Sequence, residues 1–253
     1  MKPFFRPPCK KEKKNIKTPF NKIKQAYKYN SIEEAKQELQ EVVQFLREPE
    51  KFVQVGARIP KGVLMVGPPG TGKTTIARLL AIAAGAEMVT FSAVLSGVKE
   101  ARAVMSAARS LRRAEGRRTV LFVDEIHRFS KSQQDSLLGA VEKGWVTLIG
   151  ATTENPSFEV IPALLSRCQV YVLKSLGKED LLALLERAMR EDPWLKSKKV
   201  DLAETDMLLR LSGGDGRKLL NIFELVVSSV NEQEVVLTDQ RVGEVVQQQP
   251  LRY

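Results

Sequence analysis

The sequence predicts an α/β fold, a mostly parallel β-sheet covered on both faces by helices and followed by a smaller domain built from helices alone. Three observations carry this. Apolar strand-like runs alternate with helical periodicity between residues 63 and 173, the pattern of parallel strands joined by crossover helices. A glycine-rich octapeptide, Gly67-Pro-Pro-Gly-Thr-Gly-Lys-Thr74, lies between the first such run and the first such helix. After Ser175 the strand-like runs give way to helical stripes. These features divide the chain into a basic tail over 1–30, a sheet domain over 31–175 and a helical domain over 176–253.

The elements follow in order. Ser31 and Glu34 form a capping box, and Ala35, Leu39, Val42, Val43 and Leu46 then recur at helical spacing up to Pro49. Strands are expected at Val63 to Val66, Met88 to Phe91, Val120 to Val123, Val146 to Ala151 and Val170 to Leu173, with helices starting at Lys73 and near Lys99. Leu181, Leu184, Leu185 and Ala188 form one later stripe, and Leu219, Phe223, Val226, Val227 and Val230 another. Weaker helices are expected at Leu202 to Leu211 and Gln240 to Gln248. Such stripes mark core faces and carry no chemistry of their own.

A chain of 253 residues with 43% apolar content can bury a proper core without staples. Cys9 and Cys168, the only cysteines, show no metal-type spacing and indicate neither a disulfide framework nor a zinc site. No apolar stretch approaches the roughly 18 residues of a membrane helix, and the N-terminus lacks the apolar core of a signal peptide. The expectation is a cytoplasmic protein with no membrane partner. The net charge of +10 is concentrated in residues 1–30, where ten Lys or Arg face the single Glu12. Two readings of that arm stand side by side, a salt-sensitive attraction to phosphate backbones and a merely solvated tail.

The octapeptide matches G-x-x-x-x-G-K-[ST], a loop whose backbone N–H groups surround nucleotide phosphates. Gly67, Gly70 and Gly72 allow the tight approach, Pro68, Pro69 and Thr71 complete the loop, and Thr75 follows it into a helix whose N-terminus favours anions. Lys73 is placed to contact the terminal phosphates of ATP, and Thr74 to reach a Mg²⁺ ion. Asp124 and Glu125 close the apolar run Val120 to Val123. Open parallel sheets bind ligands at the carboxyl ends of their strands, so Asp124 is a candidate metal holder and Glu125 a candidate base for the attacking water. His127 is the sole histidine. A zinc peptidase site of the H-E-x-x-H type is thereby excluded, and His127 reads as a structural or coupling residue.

The octapeptide, the Asp-Glu pair, Ala151-Thr152-Thr153, Leu165-Ser166-Arg167-Cys168 and Gly214-Asp215-Gly216-Arg217 occur in the order found in AAA+ ATPases. From about Thr75 onward the chain resembles the replication-associated recombination protein A family, whose eukaryotic relative is the Werner-helicase-interacting ATPase. The stretches that carry the resemblance are Ser96-Gly-Val-Lys-Glu100, Val123-Asp-Glu-Ile-His-Arg-Phe-Ser-Lys-Ser-Gln-Gln-Asp135, Ile149-Gly-Ala-Thr-Thr-Glu-Asn-Pro-Ser-Phe158 and Pro250-Leu-Arg-Tyr253. The resemblance implies a P-loop NTPase αβα sandwich with an all-α lid, ATP and Mg²⁺ as cofactors, and Mg²⁺-dependent ATP hydrolysis. It makes Thr153 or its neighbour Thr152 the polar sensor near the γ-phosphate, Arg167 an arginine finger acting on the ATP of an adjacent subunit, and Arg217 a second sensor. The partners it implies are DNA forks, junctions or single-stranded ends and further copies of the chain, with a single-strand-binding protein as an additional candidate.

Residues 31 to 66 follow a different pattern. Glu34-Ala-Lys-Gln-Glu-Leu39, Phe45-Leu-Arg-Glu-Pro-Glu-Lys-Phe52 and Gly56-Ala-Arg-Ile-Pro-Lys-Gly-Val-Leu-Met-Val66 resemble FtsH-type AAA proteases just before their P-loop. The adenine-recognising segments of both families are missing, and Ser-Ala-Val-Leu-Ser-Gly after Phe91 lacks the aromatic pore loop that grips polypeptide. The family continues beyond the equivalent of Tyr253 into an oligomerisation region, so this chain is expected to bind ATP but hydrolyse it slowly in isolation. Two further readings are a protein-remodelling ATPase and a non-catalytic nucleotide-binding scaffold. Arg109, Arg112, Arg113, Arg117 and Arg118 cluster before the strand that ends at Asp124. They read either as a DNA phosphate contact or as a helix C-terminus that favours cations beside a solvated turn.

Overall fold

The computed structural model describes residues 42–44, 61–92, 98–230 and 234–248. The basic tail, the Ser31–Glu34 capping box, most of the FtsH-like stretch and the ending Pro250–Tyr253 lie outside the described residues. Of the first predicted helix only 42–44 is described; it is helical, with Val42 and Val43 buried.

The five expected strands form one parallel sheet. They are β1 (Gly62–Val66), β2 (Glu87–Ser92), β3 (Thr119–Asp124), β4 (Thr147–Thr152) and β5 (Cys168–Val172), in the spatial order β2-β3-β4-β1-β5. Connecting them are α1 (Lys73–Ala83), α2 (Val98–Glu115), α3 (Lys131–Glu142) and two single-turn helices, α4 (Pro156–Glu159) and α5 (Pro162–Leu165). The strand period of two sorts the apolar runs onto opposite faces. Val63, Met65, Val120, Phe122, Ile149 and Ala151 pack with Ile76, Ala77, Leu80 and Ala81 of α1. Leu64, Leu121, Val123 and Leu148 pack with Met105 and Ala108 of α2 and Leu137 and Val141 of α3.

Helix α3 is not among the expected helices, yet it has its own start signal. The Ser130 hydroxyl accepts from the Gln133 amide at 3.2 Å, and the Ser130 N–H donates to Gln133 Oε1 at 2.8 Å, a complete capping box.

Residues beyond β5 gather around a separate core of Leu181, Leu185, Leu208, Leu219, Ile222, Phe223, Val226 and Val227. The expected stripes are α6 (Lys178–Glu191) and α9 (Gly216–Ser228), joined by α7 (Pro193–Lys196), α8 (Asp206–Ser212) and α10 (Asp239–Gln248). The expectation of helices alone needs amending. Lys199–Leu202 (β6) and Glu234–Leu237 (β7) pair in parallel as a two-stranded ribbon that buries Val235 and Leu237 in the same core. Leu202 therefore closes a strand, and the helix that was expected to begin there starts at Asp206.

Candidate nucleotide-binding and hydrolysis site

The C-terminal ends of β1, β3 and β4 converge at one edge of the sheet, because β4 lies between the other two and all three run in the same direction. At this edge the Gly67 N–H donates to the Thr152 carbonyl at 3.1 Å, fixing the root of the loop to β4. The loop then turns through two left-handed glycines, Gly70 at φ 71° and Gly72 at φ 84°. Around Gly72 the space is open.

The start of α1 is unusual for a helix of 11 residues: Gly72 offers no side-chain cap, and no acidic residue stands in the first turn. Among the described residues no anionic side chain caps its first N–H groups and positive dipole end, the arrangement a phosphate fills. The lysine of the loop opens this helix. Lys73 is 8% exposed, and its Nζ folds back to donate to the carbonyls of Gly67 and Pro68, both at 2.7 Å. Burial pulls its pKa below the usual lysine value, while Glu125, Asp124 and Asp215 raise it and Arg217 lowers it. All four charged groups thus act on one ammonium. Thr74 is partly buried next to it, Thr71 donates to the Pro68 carbonyl at 3.0 Å, and Pro68, Pro69 and Thr75 are exposed.

Asp124 ends β3, and its Oδ1 accepts from the Glu125 N–H at 3.2 Å. Glu125 is the only non-glycine residue with positive φ among the described residues, at 52°. His127, in the short 3₁₀ turn Ile126–Arg128, bonds to Thr152 Oγ1 through Nδ1 at 2.9 Å and lies 3.2 Å from Glu125 Oε2 through Nε2. Of the two threonines considered for the sensor position, Thr152 is fully buried at this cluster, whereas Thr153 is exposed and faces a groove beside β5 with Pro156, Val170 and Val172.

The helical portion reaches the loop directly. The Gly216 N–H donates to the Gly70 carbonyl at 3.2 Å, and the Asp215 carboxylate fills the space that a side chain on Gly70 would enter. Asp215 also caps α9, accepting from the Arg217 and Lys218 amides at 2.8 and 2.9 Å, which leaves the Arg217 side chain exposed next to the loop.

Arg167 stands apart from all of these. It precedes β5 at the opposite edge of the sheet, where the Lys61 N–H donates to its carbonyl at 2.6 Å. Five strand residues separate that edge from the loop, about 16 Å at 3.3 Å per residue. Arg167 donates to Glu142 Oε1 at 2.6 Å and to the Ala163 carbonyl at 2.5 Å. It is not brought to the loop of its own chain.

Residues 63–176 match the family model of the ATPase family associated with various cellular activities. The chain is 48% identical over 174 residues to the replication-associated recombination protein A of Coxiella burnetii, covering 68% of this chain and 39% of that protein. It is 38% identical over 210 residues to ATPase WRNIP1 of Dictyostelium discoideum, covering 75% of this chain and 24% of that protein. The chain thus spans about two fifths of the bacterial relative's length. Among solved structures, the Thermotoga maritima RuvB Holliday junction branch migration motor superposes with a TM-score of 0.61 at 25% identity, over 83% of this chain and 68% of that one. Sheet order, phosphate loop and family match agree that residues 63–176 form a domain of the AAA ATPase type, in a chain that resembles replication-associated recombination protein A over 68% of its length.

Proposed function

We propose that the chain is a Mg²⁺-dependent ATP-hydrolysing module of replication and recombination maintenance, with residues 31–175 as the nucleotide-binding unit and 176–253 as its lid. One observation carries this reading. A helix start with no cap and no acidic first turn, a buried lysine and the Asp124–Glu125 pair meet at a single sheet edge.

In this reading the loop amides and Lys73 hold the β- and γ-phosphates, and Thr74 and Asp124 hold the magnesium ion. Held there, the ion would supply positive charge to offset that of the phosphate oxygens. Glu125 orients a water toward the γ-phosphorus and accepts its proton as ADP leaves. Thr152 fits the polar sensor position better than Thr153, because it is buried within reach of Glu125 through His127. Arg217 reports the state of the site to the lid, which already rests on Gly70. The placement of Arg167 at the far edge supports a finger that serves a neighbouring copy's site, so turnover belongs to an assembly of subunits.

The relatives, a recombination protein and a branch-migration motor, support forked, branched or single-stranded DNA as the effector. The arginine cluster at the end of α2 supports it less. Arg109 stacks on Trp145 at 4.7 Å, Arg112 donates to the Gly144 carbonyl, and Arg117 pairs with Glu87 and Glu115. These side chains are engaged in holding a turn.

The test is the ATPase rate per subunit against protein concentration, with and without forked DNA. The reading expects the specific rate to rise with concentration and to rise further with DNA at low salt, the DNA effect fading as salt increases. A rate independent of concentration contradicts the shared site, and a rate blind to DNA at low salt contradicts the effector.

A further inference from the structure

The sole histidine of the chain occupies a position that the nucleotide chemistry above does not use. We propose that His127 is the positioning residue that aims the Glu125 carboxylate and ties it, through Thr152, to the root of the phosphate loop. The inference rests on the reading of Glu125 as the base.

Each link is a direct contact. His127 Nε2 lies 3.2 Å from Glu125 Oε2, and Nδ1 lies 2.9 Å from Thr152 Oγ1. Thr152 Oγ1 also accepts from the Glu154 N–H at 3.0 Å, while the Thr152 carbonyl accepts from the Gly67 N–H at 3.1 Å. The path therefore runs from the loop through β4 to the imidazole and on to the carboxylate.

In the neutral ring these contacts allow one arrangement of protons. A carboxylate oxygen only accepts, so Nε2 must carry a hydrogen to bond it, and in the neutral ring Nδ1 is then an acceptor. The Thr152 hydroxyl then donates to Nδ1 at 2.9 Å in place of the Glu154 carbonyl at 3.5 Å, while its oxygen accepts from the Glu154 N–H. Every group in the path is satisfied once, with no donor facing a donor.

Backbone geometry gives Glu125 a reason to need such a guide. It sits at φ 52°, a region that L-residues seldom adopt outside glycine, so its side-chain direction is not set by an ordinary strand or helix register. The short turn Ile126–Arg128 folds His127 back onto its near neighbour. A hydrogen bond from a ring fixed at both nitrogens leaves the carboxylate far less rotational freedom than solvent would. His127 itself is held in a part-buried position, with a side chain 14% exposed.

The first measurement needs no nucleotide. With only one histidine, the untagged full chain labelled with ¹⁵N-histidine gives a single imidazole signature. The expected spectrum is an Nε2–H tautomer, with Nδ1 shifted by Thr152→Val and Nε2 by Glu125→Gln. Averaged tautomers that respond to neither substitution overturn the proposal.

The second measurement is kinetic. His127→Ala is expected to lower kcat by about 10²-fold, the cost of a misdirected catalytic group, with KM and the affinity for a non-hydrolysable ATP analogue unchanged. His127→Gln, whose amide nitrogen reaches the place of Nε2, recovers most of the rate; His127→Asn, which reaches only the place of Nδ1, does not. Equal losses in Gln and Asn with lowered melting temperatures would mean a packing role and overturn the proposal, as would an unchanged kcat in His127→Ala. The two readings also fail separately. Undiminished turnover in Glu125→Gln removes the base assignment, whereas a dead Glu125→Gln beside a fully active His127→Ala removes only the histidine.

Discussion

The two edges of the sheet handle charge in opposite ways. At the loop edge, Lys73, Asp124, Glu125, Asp215 and Arg217 converge, yet the lysine donates to the backbone carbonyls of Gly67 and Pro68 and the first turn of α1 holds no acidic residue. At the far edge the charges are mostly used up: Arg117 is paired with Glu87 and Glu115, Arg112 with the Gly144 carbonyl, and Arg109 and Lys143 cover the Trp145 ring. The same residue types therefore serve a ligand at one edge and the fold at the other. What separates them is whether the surrounding backbone leaves donors unfilled, not how many charges gather there.

Arg167 breaks the symmetry of that contrast, and its substitution should have the largest effect. It sits at the far edge in an ion pair with Glu142, but an arginine finger is worth about 10³ to 10⁵ in rate where it completes a neighbour's site. We expect Arg167→Ala to lose turnover on that scale while keeping ATP binding. Mixing it with Glu125→Gln should restore part of the activity, because mixed pairs hold one intact site. An Arg167→Ala chain that hydrolyses ATP normally would return this residue to the structural edge.

Stability is where the far edge should show itself. Arg112→Ala removes a bond to the turn at Gly144 and is expected to cost about 1 kcal/mol of unfolding free energy, read by denaturant titration, with nucleotide affinity unchanged. A loss of DNA-stimulated turnover without loss of stability would instead make the arginine cluster a nucleic-acid surface.

Most of the sheet could be read from the sequence, since each strand carries an apolar run whose alternate residues serve two cores. The phosphate loop and Asp124 were equally legible, because their spacing follows from one turn and one strand end. The ribbon β6–β7 was not: a strand of four residues gives each face only two side chains, too few for a period, and its partner lies more than 30 residues away. Nor was the bond from His127 to Thr152, which spans 25 positions and depends on the register between β3 and β4. The same limit kept Thr152 and Thr153 level until the end of β4 showed which was buried.

Cys168 gives the smallest expected effect and tests the far edge for dryness. Burial pushes its thiol pKa from 9.0 up to about 12. A thiol whose folded pKa is raised stabilises the fold below pH 9 and loses that contribution as pH climbs from about 9 toward about 12. Accordingly Cys168 should resist thiol reagents at pH 8 in the native chain and react once unfolded, as followed by peptide mass spectrometry. Prompt labelling of the native protein would mean that this end of β5 opens.

The contrast between the edges is tested most directly by Glu125→Gln, measured for binding and turnover in the same preparation. Affinity for a fluorescent ATP analogue with Mg²⁺ should match the parent chain, while hydrolysis falls by about 10² to 10⁴, the contribution of a positioned base. Parental hydrolysis in that variant would contradict the placement of the chemistry at the loop edge.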